Sequence, residues 1–191
     1  MEEQQSKLKS NNVWIWIIIF LILIVVGTGA YLLLSGENSI SQLSSKGALI
    51  SKDILPFNFN GSQSLSKENL ENIGSNVLEG SNARYLYFKL GEYGNVQESI
   101  ISSATVYTFN SASSSQEFLD KTKLLWDEKS VTYTIQTLKG KKVYTFTRGD
   151  QNQFMWAHNN YLIQINVDRE KGVTDMTKGL EVRDAYLNKY N

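Results

Sequence analysis

From Val13 to Leu34 the chain reads VWIWIIIFLILIVVGTGAYLLL, without a single charged side chain. A helix of about 22 residues at ~1.5 Å rise is roughly 33 Å long, enough to cross a hydrocarbon core of about 30 Å. Many of these residues are β-branched, which weakens a helix in water. In lipid the backbone has to bond to itself, so a lone segment becomes helical. Trp14 and Trp16 stand at one end and Tyr31 near the other, where amphipathic rings favour the headgroup layer. Lys7 and Lys9 precede the span, and Glu37 is the first charge after it. The positive-inside rule then puts the N-terminus in the cytoplasm and the rest of the chain outside. A cleaved signal peptide has a shorter apolar core, ~7–15 residues. The small residues Thr28, Gly29 and Ala30 are the place where cleavage would fall, and a retained anchor is the expectation.

The expected organisation is a cytoplasmic tail (1–12), a transmembrane anchor (13–34), a stalk (35–52) and an extracytoplasmic domain (53–191). The outer part is long enough for one domain with its own core. Nineteen basic residues balance nineteen acidic ones. Such a chain has no electrostatic footprint for nucleic acid. There is no cysteine, so an exported domain has no disulfides and no lipoprotein attachment point. That composition leans towards archaea or Gram-positive bacteria. Asn60-Gly61-Ser62 is a glycosylation sequon.

Along the outer chain, DILPFNFN (53–60) alternates around the chain's one proline and reads as a short edge strand or packed loop. Ser66 to Leu78 carries Leu70, Ile73 and Val77 at helical spacing, with Ser66 as N-cap. ARYLYFKL puts Leu86, Phe88 and Leu90 on one face and Tyr85 and Tyr87 on the other. A turn at Gly91–Gly94 joins it to ESIISSATVYTF (98–109). SSSQEFLDKTKLLW is the best soluble helix, opened by the capping-box pattern Ser114-x-x-Glu117. Phe118, Thr122 and Leu125 line its expected buried face, with Leu119 and Trp126 beside it. VTYTIQTL, KVYTFTR, QFMW and YLIQINV follow as strands, and a terminal helix begins near Thr174 with Met176, Leu180 and Leu187. In YLIQINV the residues Tyr161, Ile163, Ile165 and Val167 alternate with Leu162, Gln164 and Asn166, giving one buried and one mostly polar face. The order β-β-α-β-β-β-β-α, rich in hairpins, predicts an α+β domain. Its sheet is mostly antiparallel and covered on one face by helices.

Chemistry-bearing patterns are sparse. His158 is the sole histidine, so a triad or histidine-ligated metal has to use it, and no partner stands at a telling spacing. The expectation is an isolated imidazole at a hairpin tip, titrating near its ordinary value. The sequence contains no calcium loop, P-loop or dinucleotide fingerprint, and no catalytic, cofactor or metal residue is assigned. Asp127 and Glu128 adjoin and point different ways, and Asp168 and Glu170 are close in sequence; both pairs read as solvated surface. Tyr85, Tyr87, Tyr93, Tyr133, Tyr144, Phe154 and Trp156 either form a binding face or fill a pleated core, and the core reading is favoured. Trp156, His158 and Tyr161 are the candidate partner-binding residues, and Asn60 the candidate glycosylation site.

These observations point to a membrane-anchored extracytoplasmic binding or interaction module of an archaeal or Gram-positive surface. Its expected partners are the lipid bilayer and other membrane or surface proteins, with no cofactor. The alternatives are a subunit of a larger membrane complex and a carboxylate-dependent surface hydrolase.

Overall fold

Tyr161, Ile163, Ile165 and Val167 turn to one side of a strand at the middle of a seven-stranded sheet, and all four are buried there. The computed structural model describes residues 44–74, 76–173 and 177–190. The chain divides into Met1–Gln42 and Leu43–Asn191, and every described residue belongs to the second unit. The uncharged Val13–Leu34 span lies outside the described residues. No helix among those described is long and apolar enough to cross a membrane.

The strands are β1 (Asn58–Ser64), β2 (Val77–Leu90), β3 (Val96–Phe109), β4 (Tyr133–Leu138), β5 (Lys141–Arg148), β6 (Gln151–His158) and β7 (Tyr161–Lys171). They pair antiparallel in the order β1-β2-β3-β7-β6-β5-β4. Two meanders, β1–β3 and β4–β7, therefore meet along the β3–β7 seam. The helices are α1 (Ser45–Ala48), α2 (Lys67–Glu71), α3 (Ala112–Glu128) and α4 (Leu180–Lys189). The fold is α+β with an antiparallel sheet, as the hairpin-rich pattern implies. Of the stretch 53–60, read as a short edge strand or packed loop, the first part is an irregular turn with Ile54 and Phe57 buried, and the edge strand begins at Asn58 and runs on to Ser64.

Helices and irregular chain cover both faces, not one. On the first face, Tyr85, Ile100, Val106, Phe154, Trp156 and Ile163 pack under α4 and under a strap of irregular chain that carries Leu49, Ile54 and Phe57. The strap corrects the expected stalk. Ser45, Ala48 and Leu49 are at most 4% exposed, so the domain begins before residue 53. Serine and glycine suggested a linker there; Ser45 is instead held by the Ser81 hydroxyl at 2.9 Å and the Glu79 carboxylate at 3.0 Å.

On the second face, Tyr107, Phe109, Tyr144, Met155 and Leu162 pack under α3. Its N-cap is Ser111, whose Oγ accepts from the Ser114 amide at 3.1 Å. The helix thus starts earlier than the Ser114 capping box implied. Its buried stripe centres on Ser115 and Leu119, with Phe118 and Trp126 partly buried, while Leu125 is 52% exposed. The helix is rotated from the expected orientation: Phe118 and Thr122 lie at the margin of the stripe, so Leu125, the next residue along their line, faces solvent. The expected helix from Ser66 to Leu78 stops at Glu71, and Val77 already belongs to β2. Ser66 is its N-cap, as expected, accepting from the Asn69 amide. Gly80 lets this segment lie close on the sheet, since a Cβ there would stand 2.7 Å from Leu65 and 2.8 Å from Leu70.

Candidate functional site: the open half of the central sheet face

α3 covers only part of the second face. Beyond it the antiparallel register lines up a row of side chains across five strands. Arg84 faces Ser103, Ser103 faces Asn166, Asn166 faces Gln153, and Gln153 faces Phe146. A second row runs Leu86, Ile101, Asp168, Gln151. On the α3 side lie Asn82, Thr105, Gln164 and Met155. An antiparallel sheet packs one face on its core and can leave the other to solvent. Here β7, the middle strand of seven, presents Gln164, Asn166 and Asp168, and all three remain partly accessible.

These groups hold one another. Asn166 Oδ1 accepts from Gln153 Nε2 at 3.1 Å and from Gln164 Nε2 at 3.3 Å. Asn82 donates to Thr105 Oγ1 at 2.8 Å. Burial pushes the Asp168 carboxyl above its usual range; Gln151 and Arg84 act against this, and Glu170 adds to it. Phe146, Gln151, Asn152, Gln153, Asn166 and Asp168 line a shallow cleft of about 280 Å³. Phe146 is braced from behind by Trp126, the rings stacked at 5.9 Å and 24°. Trp126 in turn meets Tyr133 at 5.4 Å. The arrangement offers fixed amide donors and acceptors beside one aromatic wall.

The residues singled out in the sequence lie elsewhere. His158 and Tyr161 close the β6–β7 hairpin at the tip formed by Asn159 and Asn160. Tyr190 of the C-terminal segment packs on both, 5.4 Å from the His158 ring and 5.9 Å from Tyr161. The three candidates are near one another in the hairpin, but Trp156 is 0% exposed and belongs to the core. His158 is partly buried, and burial together with Lys141 lowers its pKa. It is therefore not an imidazole in free solvent. Among the described residues no group of His, Asp and Glu could hold a metal ion.

Of the seven aromatics weighed above, Tyr85, Tyr87, Tyr144, Phe154 and Trp156 are core residues, while Tyr93 is 94% exposed at the β2–β3 turn. Asp127 accepts from Lys123 at 2.5 Å and from the Tyr133 hydroxyl at 2.7 Å, tying α3 to β4. Asn60 is exposed on the outer strand β1. A second hollow of about 600 Å³ lies between the strap and α4, lined by residues 49–54 with Ala185, Asn188 and Lys189. Its walls are the strap and the helix that secures it.

Sequence reasoning saw half of the open face. The alternation in β7 marks Gln164 and Asn166 as a polar side. Gln151 and Gln153 show the same period of two. Only the register brings the two strands' amides together.

No protein-family profile matches the sequence, and no curated protein does either. Two solved structures are similar in fold at low sequence identity. One is a GTP-binding regulator from Thermotoga maritima, 13% identical, with a TM-score of 0.38 over 76% of this chain and 88% of that one. The other is the extracellular domain of PknH from Mycobacterium tuberculosis, 12% identical, with a TM-score of 0.39 over 70% of this chain and 85% of that one.

Proposed function

We propose that the chain is a membrane-anchored extracytoplasmic binding module whose ligand sits on the open half of the sheet. The observation that carries this reading is the polar, uncovered face of the central strand β7. An antiparallel sheet can leave one face to solvent, and here that face gathers five polar side chains beside Phe146 in one cleft. The anchoring half of the reading rests on the uncharged Val13–Leu34 span and on Lys7 and Lys9 before it. The lipid bilayer is then the first partner, and an archaeal or Gram-positive surface the setting. In such a host the exposed Asn60 is a glycan acceptor. A protein partner meeting the β6–β7 tip would touch His158 and Asn159, because Trp156 has no surface to offer.

A carboxylate hydrolase is the weaker reading. Glycoside hydrolysis of the usual kind needs two carboxyl groups flanking the bond, and Asp168 is the single carboxylate lining the cleft.

Two measurements test the proposal. Protease added to intact cells should remove the domain and spare the N-terminal tail; a mature chain beginning at Tyr31 would overturn the anchor. The full chain in lipid nanodiscs should co-sediment with isolated host envelopes, and Asn166→Asp should abolish this. Retained sedimentation of that variant would remove the open face as the binding surface.

A further inference from the structure

The cleft on the open face has a chemistry that selects among ligand classes. Its volume of about 280 Å³ is at the lower end of ligand pockets, ~300–1,000 Å³, and suits a single ring-sized group. Asn166 is fixed through its oxygen, which accepts from both Gln153 and Gln164. Its Nδ2 donor has no acceptor among the described residues and is left to the cleft. The Oε1 atoms of Gln153 and Gln164 likewise have no donor among the described residues. Gln153 on β6 and Asn166 on β7 therefore set an acceptor and a donor on neighbouring strands, which lie ~4.7–4.9 Å apart.

Charge narrows the choice. An anion would meet Asp168. The flanking Asp150 is paired with Arg169 at 3.5 Å, which leaves Asp168 as the one carboxylate lining the cleft. The remaining wall is Phe146, held in place by stacking on Trp126. The negative face of an aromatic ring attracts the weakly positive C–H edges of a group laid on it. Amides that both give and receive hydrogen bonds, a single carboxylate acceptor and one braced ring together describe a site for a molecule that is hydroxylated around its edge and apolar on its face.

Building on the proposed binding role of this face, we propose that the cleft binds one ring of a neutral saccharide. Asn166, Gln153 and Asp168 bond its hydroxyls, and Phe146 packs on its C–H face. The mutual amide bonds hold Asn166 in its binding orientation before the ligand arrives, so little ordering is left to be done on binding.

The test uses the full chain in lipid nanodiscs prepared without glycosidic detergent. The probes are neutral di- and trisaccharides of hexoses and N-acetylhexosamines, read by saturation-transfer NMR. At least one should receive saturation, strongest on one face of one ring. Asn166→Asp keeps the shape but replaces the donor by an acceptor, and should weaken binding at least tenfold. Phe146→Leu keeps an apolar contact but removes the ring, and should weaken it similarly. Leu125→Ala, on the solvent side of α3, should leave it unchanged. Absence of transfer from every saccharide, or equal binding by Asn166→Asp, would overturn the inference. The parallel envelope sedimentation separates the two levels. If Asn166→Asp loses the envelope while no saccharide binds, the ligand class is wrong and the binding face stands. If that variant keeps both the envelope and a saccharide, both are wrong.

Discussion

The Tyr85 hydroxyl lies 2.7 Å from that of Tyr186, joining the second strand to the C-terminal helix across 101 residues of sequence. Tyr85 spends its one proton on the Ile50 carbonyl at 2.6 Å, so the proton between the two phenols belongs to Tyr186. Tyr186 in turn accepts from the Ile50 amide at 3.0 Å. Both backbone groups of one strap residue are thereby bonded to a closed circuit of two tyrosines. Lys189 and Tyr190 complete the fastening. The lysine donates to the carbonyls of Gly47, Ala48 and Leu49, and Tyr190 donates to Ala48 at 2.5 Å.

Removing one hydroxyl from this circuit strands a buried carbonyl or donor. Tyr85→Phe should cost about 1–3 kcal/mol, the usual penalty for an unmet buried polar group. Urea unfolding of the full chain measures it. Tyr186→Phe should behave alike, and the double variant should lose less than the sum because both break the same circuit. Strict additivity would mean that the two phenols act independently.

Burial raises the phenol pKa of Tyr85, Tyr186 and Tyr190 above their ordinary 10.0. The unfolded chain releases these protons near pH 10 and the folded one does not. Their contribution to stability is therefore complete below about pH 10 and declines as pH rises beyond it. Absorbance at 295 nm should show part of the tyrosine ionisation coinciding with loss of circular dichroism. Complete phenol titration before unfolding would contradict the buried circuit.

His158 works at the other end of the scale. Its pKa is lowered from 6.5, first by burial and then by Lys141. The unfolded imidazole takes a proton as pH falls through about 6.5 while the folded one resists, so stability declines with acidification across that window. His158→Phe should flatten this part of the stability–pH curve. An unchanged slope would mean that the ring is solvated like a free imidazole.

Within α3, Leu119 is 1% exposed and Leu125 is 52% exposed. Leu119→Ala should cost ~2–5 kcal/mol, whereas Leu125→Ala should stay within about 0.5 kcal/mol. Thermal unfolding of the two variants tests the rotation of the helix directly.

Period-two alternation made most strands legible, because a strand buried on one side has to obey it. It even marked the polar side of β7. It could not say which strand would lie beside β7, and so could not bring Gln153 to Asn166. Helix rotation was readable only to within a residue, since α3 has leucines at 119, 124 and 125 and the ambiguity is resolved by what packs above it. The strap escaped notice for a different reason. Its hold on the domain comes from serine hydroxyls, backbone carbonyls and tyrosines far along the chain, none of which leaves a periodic pattern. Trp156 looked like a hairpin-tip aromatic, but the hairpin turns only after His158, and the tryptophan points inward two residues earlier.

The strap's bonds to Tyr186, Lys189 and Tyr190 reach 136 to 142 residues ahead. A chain made from its N-terminus therefore delivers the strap well before the helix that fastens it exists. Until residues 186–190 emerge, one side of the nascent sheet stays bare, with Tyr85, Phe154 and Trp156 open to whatever is nearby. Long-range closures of this sort are slow, and the uncovered intermediates are prone to adhere to other chains. The vulnerable moment in the life of this protein is thus the interval between making the strap and completing residues 186–190, and a chaperone would find its target there.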